Sequence, residues 1–356
     1  MLQKTFATLI MLTLLFGGWT IGSAKADQCT AAQGQLFIET GQYTKAIKEF
    51  TCIIDAQPTE VEGYRGRIEA KLLLGWYSEA LHDFTLITVH VLPEHPDVEN
   101  IILAGYSTRL AANPNSLPAL IGKSFMHWSF FDYPAAIKIL DQLIQIQPNS
   151  VYGNLFLGSS RLLKGVAGTK GVTNLERAIE LAPNSPDVRF IVADAYTYGL
   201  PDLQRAFAEA TLALNGGLNT PRVHAILASS YLAFGDMSSA AEHIKTHIDL
   251  VTSEFVTTNP MDPDTTDTLE LVPGRTYTLP VSAMAGETIS ITTSSSDYWD
   301  TILVLLDPDG TPVAGADDVR FYFAELDWAA EETGTYLLQV TFFESVNIGE
   351  LVVTRN

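Results

Sequence analysis

Aspartates cluster on both sides of one predicted strand in the C-terminal third of this 356-residue chain. Carboxylate oxygens are the hard ligands that Ca²⁺ prefers. Calcium is therefore the metal candidate, and its candidate ligands are Asp300, Asp307, Asp309, Asp317 and Asp318. Their spacing is not that of an EF-hand, because Gly310 follows Asp307 too soon and the distal glutamate is absent. The alternative is that Asp307 and Asp309 form a turn and the other carboxylates are solvated.

Other residue patterns that could support chemistry are incomplete. His243 and His247 are four residues apart, a spacing compatible with zinc on one helical face, but Ile244 stands where a metalloprotease has its glutamate. The glycine-rich segment 165–171 lacks the Gly-Lys-Ser/Thr ending of a P-loop, so we interpret it as a turn between helices. The sequence contains no Gly-x-Ser-x-Gly motif. We therefore expect a protein that is not an enzyme and needs no cofactor other than calcium.

The first 26 residues have the layout of a secretory signal peptide. Lys4 precedes an apolar run centred on residues 9–16, and Ala24-Lys-Ala26 is a cleavage signature directly before Asp27. The alternative is an uncleaved anchor, since the apolar segment 5–22 is nearly long enough to span a bilayer. We expect cleavage, a periplasmic, extracellular or cell-surface location, and no membrane span in the mature chain.

Cleavage would leave a strongly acidic chain. It removes two of the 21 basic residues and none of the 41 acidic ones, which gives a net charge of −22. Such a charge repels nucleic acid and anionic membranes, so neither is expected as a partner. Residues from 256 onward carry a net −14 and the preceding 255 residues only −6. This change in composition indicates a domain boundary.

A repeat of about 34 residues runs through the first two thirds of the chain. Pro114, Pro148 and Pro183 each begin a Pro-Asn-Ser string, at intervals of 34 and 35 residues. The pattern Gly-x-Tyr-x-x-Ala-x-x-x-Phe occurs at residues 41–50 and again at 75–84. Apolar residues at three- and four-residue intervals between these markers indicate pairs of amphipathic helices. Glycine permits the turn within a pair, and the small alanine lets its helices approach closely.

This pattern resembles the tetratricopeptide repeat family over residues 27–255. The resemblance implies an all-α solenoid of helical hairpins that binds a protein or peptide. Pro58 and Pro114 are 56 residues apart, which is not a multiple of 34. We therefore expect one extra helix over residues 97–112 and an irregular superhelix.

In that family, positions 2, 5, 9 and 12 of each first helix tend to line a concave groove. The resemblance implies an apolar, aromatic groove here, whose candidate residues are Ile121, Phe125, Trp128, Tyr152, Leu155 and Phe190. Such a groove would suit a peptide or helical anchor. The alternative for each of these residues is ordinary packing between hairpins.

The repeat register also bears on the two cysteines of the chain, Cys29 and Cys52. With Gly41 at the hairpin turn, they lie twelve residues before it and eleven after it. In an antiparallel hairpin they would therefore stand at about the same height, so a disulfide is plausible. It would staple the terminal hairpin, which has a neighbour on one side only. The alternative is two buried free thiols.

The helical period stops after residue 255, and residues 256–266 are predicted to form a linker. Five runs of β-type residues follow, separated by turn clusters: 277–281, 288–292, 301–306, 336–341 and 350–354. These runs favour a small antiparallel β-sandwich over residues 267–356. We therefore predict a multidomain chain, all-α first and all-β second.

The order of residues in this region resembles the bacterial pre-peptidase C-terminal domain. The resemblance is carried by the segments 274–277, 300–310, 313–318 and 334–340. It implies a non-catalytic module of exported proteins, used for adhesion, substrate binding or secretion. The leading hypothesis is an exported scaffold or adaptor that binds protein through the helical groove. The alternatives are adhesion or glycan/matrix binding through the sandwich, and a hydrolase with an unrecognised site.

Overall fold

The computed structural model describes residues 29–165, 169–272, 274–295, 301–317, 324–342 and 349–356. The predicted signal segment therefore lies outside the described residues. Within them, the helical region contains thirteen α-helices, and a π-helical turn at Ile87–Val91 follows the fourth. The helices are α1 (Ala31–Glu39), α2 (Tyr43–Ala56), α3 (Val61–Leu74), α4 (Tyr77–Leu86), α5 (Val98–Ala112), α6 (Leu117–Ser129), α7 (Tyr133–Ile146), α8 (Val151–Leu163), α9 (Thr169–Leu181), α10 (Pro186–Tyr198), α11 (Leu203–Asn215), α12 (Pro221–Phe234) and α13 (Met237–Val251).

The helices pack as antiparallel hairpins, which confirms the predicted solenoid. Ala46 is fully buried, and Phe50 fills the space that it leaves on the same face of α2. The Phe50 ring reaches α1 and α3 where Gly34 and Gly66 offer no side chain. A Cβ atom on Gly66 would stand only 2.1 Å from that ring. The small residues therefore set how closely neighbouring helices approach.

A disulfide joins Cys29 to Cys52, as predicted, with 6.2 Å between their Cα atoms. It links the residue before the N-cap of α1 to the middle of α2. The backbone N–H of Thr30 also donates to Glu49 Oε1 at 2.8 Å. The first hairpin is therefore closed covalently at the end opposite its turn.

Helix α5 is the extra helix that the repeat spacing predicts. It packs against α6, where the Tyr106 ring lies over Gly122, and against α3, where Arg109 forms two hydrogen bonds with Glu69. Helix α4 packs against α3, and with α5 in this position beside α6 it also lies against α8 and α10.

Nine strands follow in the described residues and form two packed sheets. Strands β1, β3, β8, β5 and β6 make one sheet in that order, and β2, β9, β4 and β7 make the other. The strands are β1 (Glu254–Thr257), β2 (Thr265–Leu271), β3 (Arg275–Ala283), β4 (Thr288–Ser295), β5 (Thr301–Leu306), β6 (Pro312–Asp317), β7 (Glu325–Ala329), β8 (Gly334–Phe342) and β9 (Gly349–Arg355). Apart from the parallel pair β1–β3, neighbouring strands are antiparallel. The predicted sandwich is confirmed.

The boundary between the two regions differs from the predicted linker. Residues 254–257 form β1, which pairs in parallel with residues 275–278 of β3. The strand is short and mostly exposed, so no alternation of apolar residues marks it. Backbone pairing and the ion pair of Glu254 with Arg275, at 2.9 Å, hold it in place.

The last helix joins the solenoid to the sandwich through an apolar interface. Ile244 and Ile248 of α13 are fully buried against Ile302 and Val304 of β5. Gly315 of β6 lies so close that a Cβ atom there would stand 2.7 Å from Ile244 Cδ1. The two regions therefore share a core, although each also has its own. In the part of the chain that the structure describes, none of the helices combines the length and apolarity needed to cross a membrane.

Candidate protein-binding face

The residues predicted to line a peptide groove are all buried in the described structure. Their exposed fractions run from zero to 7%: Ile121, Phe125, Trp128, Tyr152, Leu155 and Phe190. Trp128 Nε1 donates to Ser159 Oγ at 3.1 Å, and the Tyr152 hydroxyl donates to the carbonyl oxygen of Ile121 at 3.0 Å. Their polar groups are thus satisfied within the chain, and the side chains serve packing between first helices.

The structure brings three of these residues together around Phe156, which is not one of the predicted groove residues. The Phe156 ring lies 5.8 Å from Phe125, 5.2 Å from Trp128 and 4.6 Å from Tyr152, measured between ring centroids. Such distances are typical of favourable aromatic pairs. The result is an aromatic cluster between α6 and α8.

Helix α4 covers this cluster with a side chain of its own. Tyr77 is 3% exposed, and its ring lies edge-on to Tyr152 at 6.1 Å and to Phe156 at 5.5 Å. Burial, followed by the nearby charge of Asp187, raises the pKa of the Tyr77 hydroxyl above its ordinary value, so the hydroxyl stays neutral. Tyr77 therefore lies against Tyr152, one of the predicted groove residues.

Buried charges fix α4 to the helix before it. Asp83 is 1% exposed and accepts hydrogen bonds from Arg67 Nε at 2.9 Å and Nη2 at 2.8 Å. Lys71 Nζ lies 2.9 Å from the same carboxylate. A buried carboxylate with this many partners costs several kcal/mol to unpair. Helix α4 is thus held by charged contacts with α3 and by aromatic contacts with α8.

The far end of α4 reaches the turn between α6 and α7. Phe84 of α4 packs edge-on against Phe130, with 5.0 Å between ring centroids. The next residue, Phe131, points away and leaves 76% of its surface exposed. Its ring touches Tyr133 edge-on at 6.3 Å. The turn therefore packs one phenylalanine against α4 and presents the other to solvent.

Phe131 also has a backbone conformation that favours glycine. Its φ is +61°, and the N–H groups of Phe131 and Asp132 donate to the carbonyl oxygens of Trp128 and His127. The same pair of hydrogen bonds ends the first helix of three other hairpins. In each of them the residue at the position of Phe131 is a glycine with φ between +72° and +82°: Gly41, Gly75 and Gly235. A side chain in this conformation costs about 1–2 kcal/mol.

Further aromatic and charged groups lie next to this turn, on α7, α10 and α12. Arg222 Nε donates to Asp194 Oδ1 at 2.7 Å, and its guanidinium lies 5.4 Å from the centre of the Tyr198 ring, which is 49% exposed. Burial, followed by the negative charge of Asp194, raises the pKa of Tyr133. The buried Asp194 holds Arg222 in place, and we call Phe131, Tyr133, Tyr198 and Arg222 the open patch.

The candidate calcium ligands are described only in part. Asp300 and Asp318 lie outside the described residues, as does the side chain of Asp317. Asp307 Oδ1 accepts from the N–H groups of Asp309 and Thr311 at 3.0 and 2.8 Å, which is a turn-forming role. No group of three or more His, Cys, Asp or Glu side chains converges as a metal site in the described ranges. Calcium binding stays a prediction.

A cavity of about 290 Å³ opens between the two sheets at one end of the sandwich. Trp328 of β7 and Tyr336 of β8 form its aromatic wall, and Val313 of β6 also lines it. Carboxylates from neighbouring turns complete it: Asp307, Glu331 and Glu332. The indole Nε1 of Trp328 is buried and has no hydrogen-bond partner. Such a cavity can hold a small polar ligand.

Solved structures of known proteins resemble both regions. A tetratricopeptide repeat protein from Parabacteroides merdae is 17% identical, with 63% of this chain and 78% of that one covered and a TM-score of 0.39. A thermophilic tetratricopeptide repeat protein from Thermus thermophilus is 19% identical, with 57% and 97% covered and a TM-score of 0.37.

For the C-terminal region, the pre-peptidase C-terminal domain of a Bacillus anthracis collagenase is 17% identical, with 29% of this chain and 95% of that one covered and a TM-score of 0.25. No protein-family model matches the sequence, and no curated protein does.

Proposed function

We propose that the protein is an exported, non-catalytic scaffold that binds a partner protein through the open patch. The observation that carries this proposal is Phe131, which is both strained and exposed. A single exposed apolar side chain has no special meaning, but one held in an unfavourable backbone conformation costs stability. Bound by a partner, the same side chain becomes a preorganised aromatic anchor.

The closed cluster beneath α4 also supports the patch as the binding surface. Tyr77 covers the aromatic rings of α8, so a ligand there would first have to displace α4. The open patch needs no such rearrangement, because Phe131 and Tyr198 are already exposed. Rigid, pre-exposed anchors bind with a smaller loss of conformational entropy.

Export is the second part of the proposal. The Ala-x-Ala signature before Asp27 and the disulfide Cys29–Cys52 support it, since disulfides persist in oxidising compartments. Expression of the full chain in a bacterial host, followed by fractionation and N-terminal mass spectrometry, tests it. We expect a mature chain that begins at Asp27 outside the cytoplasm. An unprocessed chain that stays in the cytoplasm would contradict export.

Affinity capture tests the binding surface. The mature chain is immobilised as wild type, as Phe131→Gly and as Met284→Ser, and is exposed to the exported proteins of the producing cells. Met284 is a matched control, because it is 67% exposed and lies on the sandwich. We expect a partner that wild type and Met284→Ser retain and that Phe131→Gly loses.

A second candidate function uses the cavity of the sandwich. The half-buried ring of Trp328 beside carboxylates suits a glycan, because sugars stack on rings and donate hydroxyl hydrogen bonds. Adhesion or matrix binding would follow from it. Binding of the full chain to a glycan array, lost in Trp328→Ala and kept in Phe131→Gly, would favour this function over the first.

A further inference from the structure

Two histidines that are distant in sequence face each other in the last hairpin. His224 Nδ1 of α12 lies 2.8 Å from His243 Nδ1 of α13. His224 is 5% exposed and His243 is half-buried. The partner that the sequence spacing offers to His243 is His247, but His247 Nδ1 instead donates to the carbonyl oxygen of Pro221 at 2.9 Å. The pair therefore forms between the two helices of the hairpin.

A hydrogen bond on the far side of the His224 ring decides which histidine of the pair donates. Asn219 Oδ1 lies 2.6 Å from His224 Nε2 and can only accept, so Nε2 carries the proton. The lone pair of His224 Nδ1 then accepts from the Nδ1–H of His243. The Tyr231 ring stacks on His243 at 5.5 Å and limits its rotation. One N–H···N hydrogen bond thus joins the helices, and it requires a neutral His224.

A proton from solvent can enter the pair at two places, with different results. His243 can take it at Nε2 and still donate through Nδ1. His224 can take it only at Nδ1, where it removes the acceptor and sets two N–H groups against each other across 2.8 Å. If His243 already carries a proton, the two positive rings also repel each other. Protonation of His224 therefore breaks this contact between α12 and α13.

The surroundings of the pair favour its neutral state. His243 and His247 are the titratable groups of α13 that face His224, and Glu242 is the charged group that acts on His243. Burial, followed by the charges of His243 and His247, lowers the pKa of His224 to about 4. Burial also lowers the pKa of His243, against the opposing charge of Glu242. Both rings are therefore neutral at pH 7.

Charged groups on the neighbouring helices are paired with one another. Asp194 of α10 binds Arg222 of α12 at 2.7 Å, and on α11 Arg205 binds Glu209 at 3.0 Å. Among the described residues, no carboxylate forms a hydrogen bond or ion pair with His224. The sandwich faces α13 with apolar residues of β5: Ile302, Val304 and Leu306. Protonated His224 would thus find no compensating charge in the closed hairpin.

Helix α13 lies between α12 and the sandwich. Ile244 and Ile248 of α13 are fully buried in the interface with β5 and are the next residues in sequence after His243 and His247. Ala228 of α12 belongs to the same apolar cluster. The contact across the hairpin therefore holds the helix on which the sandwich docks.

We propose that the pair of His224 and His243 is an acid-sensitive latch that holds α13, and with it the sandwich, against the rest of the solenoid. In an open hairpin His224 would have the ordinary histidine pKa of 6.5, and in the closed hairpin its pKa is about 4. The open form therefore binds more protons between these two values, so closing becomes less favourable as the pH falls. His224 alone changes the opening equilibrium by up to about tenfold per pH unit in this range.

Hydrogen exchange of the full mature chain at pH 7.5 and pH 5.0, corrected for the intrinsic exchange rate of each amide, tests the latch. It is measured on wild type, His224→Asn and the control His82→Asn. Asparagine keeps an acceptor for His243 but takes up no proton, and His82 is an exposed histidine on α4. We expect the opening of α13 to increase about thirtyfold at pH 5.0 in wild type and in His82→Asn. The increase in His224→Asn should be at least fivefold smaller, and the α2 amides report any general effect of acid.

An equal increase in His224→Asn and wild type, or no increase in wild type, would overturn the latch. A folding defect in His224→Asn does not end the test, because wild type supports a second measurement. The imidazole protons of His224 and His82 are titrated by nuclear magnetic resonance. A pKa below 5 for His224, with α13 opening as it titrates, supports the latch. A His224 that titrates together with His82 while α13 stays closed overturns it.

Discussion

Ser78 donates two hydrogen bonds to one carboxylate oxygen of Asp187, a residue 109 positions further along the chain. The backbone N–H and the hydroxyl of Ser78 each lie 2.7 Å from Asp187 Oδ1. The contact ties the first turn of α4 to the first turn of α10. It satisfies a backbone N–H that an isolated helix would leave without a partner. This contact and Tyr77 together hold α4 against Tyr152, one of the predicted groove residues.

Asp187→Ala should loosen α4 without unfolding the protein. The change removes a charged acceptor, so the backbone N–H and the hydroxyl of Ser78 both lose their hydrogen-bond partner. This loss costs about 1–3 kcal/mol. Hydrogen exchange of the α4 amides should accelerate, while the amides of β8 should keep their wild-type rates. Asp141→Ala is the matched control, because Asp141 is 46% exposed in its ion pair with Arg161 and should change stability by less than ~1 kcal/mol. Equal exchange rates in both variants would contradict the role of Asp187.

Removal of the disulfide should destabilise the first hairpin. The double change Cys29→Ser and Cys52→Ser opens a loop that spans 23 residues, and loops of this size contribute about 3 kcal/mol. We expect faster hydrogen exchange in α1 and α2, since a terminal repeat has one neighbour only. The sandwich amides provide the internal control. Uniform exchange changes along the whole chain would argue against a local effect.

Arg109→Met should be strongly destabilising. Glu69 is fully buried, and Arg109 donates to both of its carboxylate oxygens at 2.6 and 2.8 Å. Without this partner a buried carboxylate loses its main hydrogen bonds, which costs about 3–5 kcal/mol. Equilibrium unfolding in denaturant measures the loss. Arg177→Met is the control, because both members of its ion pair with Glu180 are exposed and it should cost less than ~1 kcal/mol.

Ile244→Ala should separate the unfolding of the solenoid from that of the sandwich. Ile244 is fully buried between α13 and the sheet that contains β5, so its truncation costs about 2–5 kcal/mol at this interface. We expect calorimetry to show one transition for wild type and two for the variant. Leu250→Ala, on the same helix but 42% exposed, should keep the wild-type profile. A single unshifted transition in Ile244→Ala would contradict a shared core.

Much of the fold follows from the sequence because its signals are local. The 34-residue spacing of glycines, alanines and prolines predicts the hairpins, the break in that spacing predicts the extra helix α5, and the runs of β-type residues predict five strands. The sequence pattern does not predict strands β1, β2, β6 and β7, since all four lie at the edges of their sheets, where one side of the strand has no partner. Such strands depend on pairing with distant segments rather than on their own apolar pattern.

The candidate site was less accessible to sequence reasoning. The displacement of α4 onto α8 and α10 depends on contacts more than 70 residues apart, such as Tyr77 with Tyr152. The groove positions of the tetratricopeptide repeat family therefore select residues that are buried in this chain. One local signal was present: Phe131 stands at a hairpin turn where Gly41 and Gly75 carry the repeat pattern. Its significance depends on the φ of +61° and on its exposure, which only the structure provides.

The most direct test of the account measures stability and partner capture on the same Phe131→Gly protein. Glycine relieves a strain of about 1–2 kcal/mol and loses about 0.5–1 kcal/mol of backbone entropy, so the free energy of unfolding should rise by ~0.5–1 kcal/mol. Loss of an aromatic anchor worth ~2 kcal/mol should weaken partner binding about thirtyfold. A more stable variant that no longer retains the partner is the predicted result. A variant that captures the same partners as wild type, with equal affinity, would contradict the open patch as the binding surface.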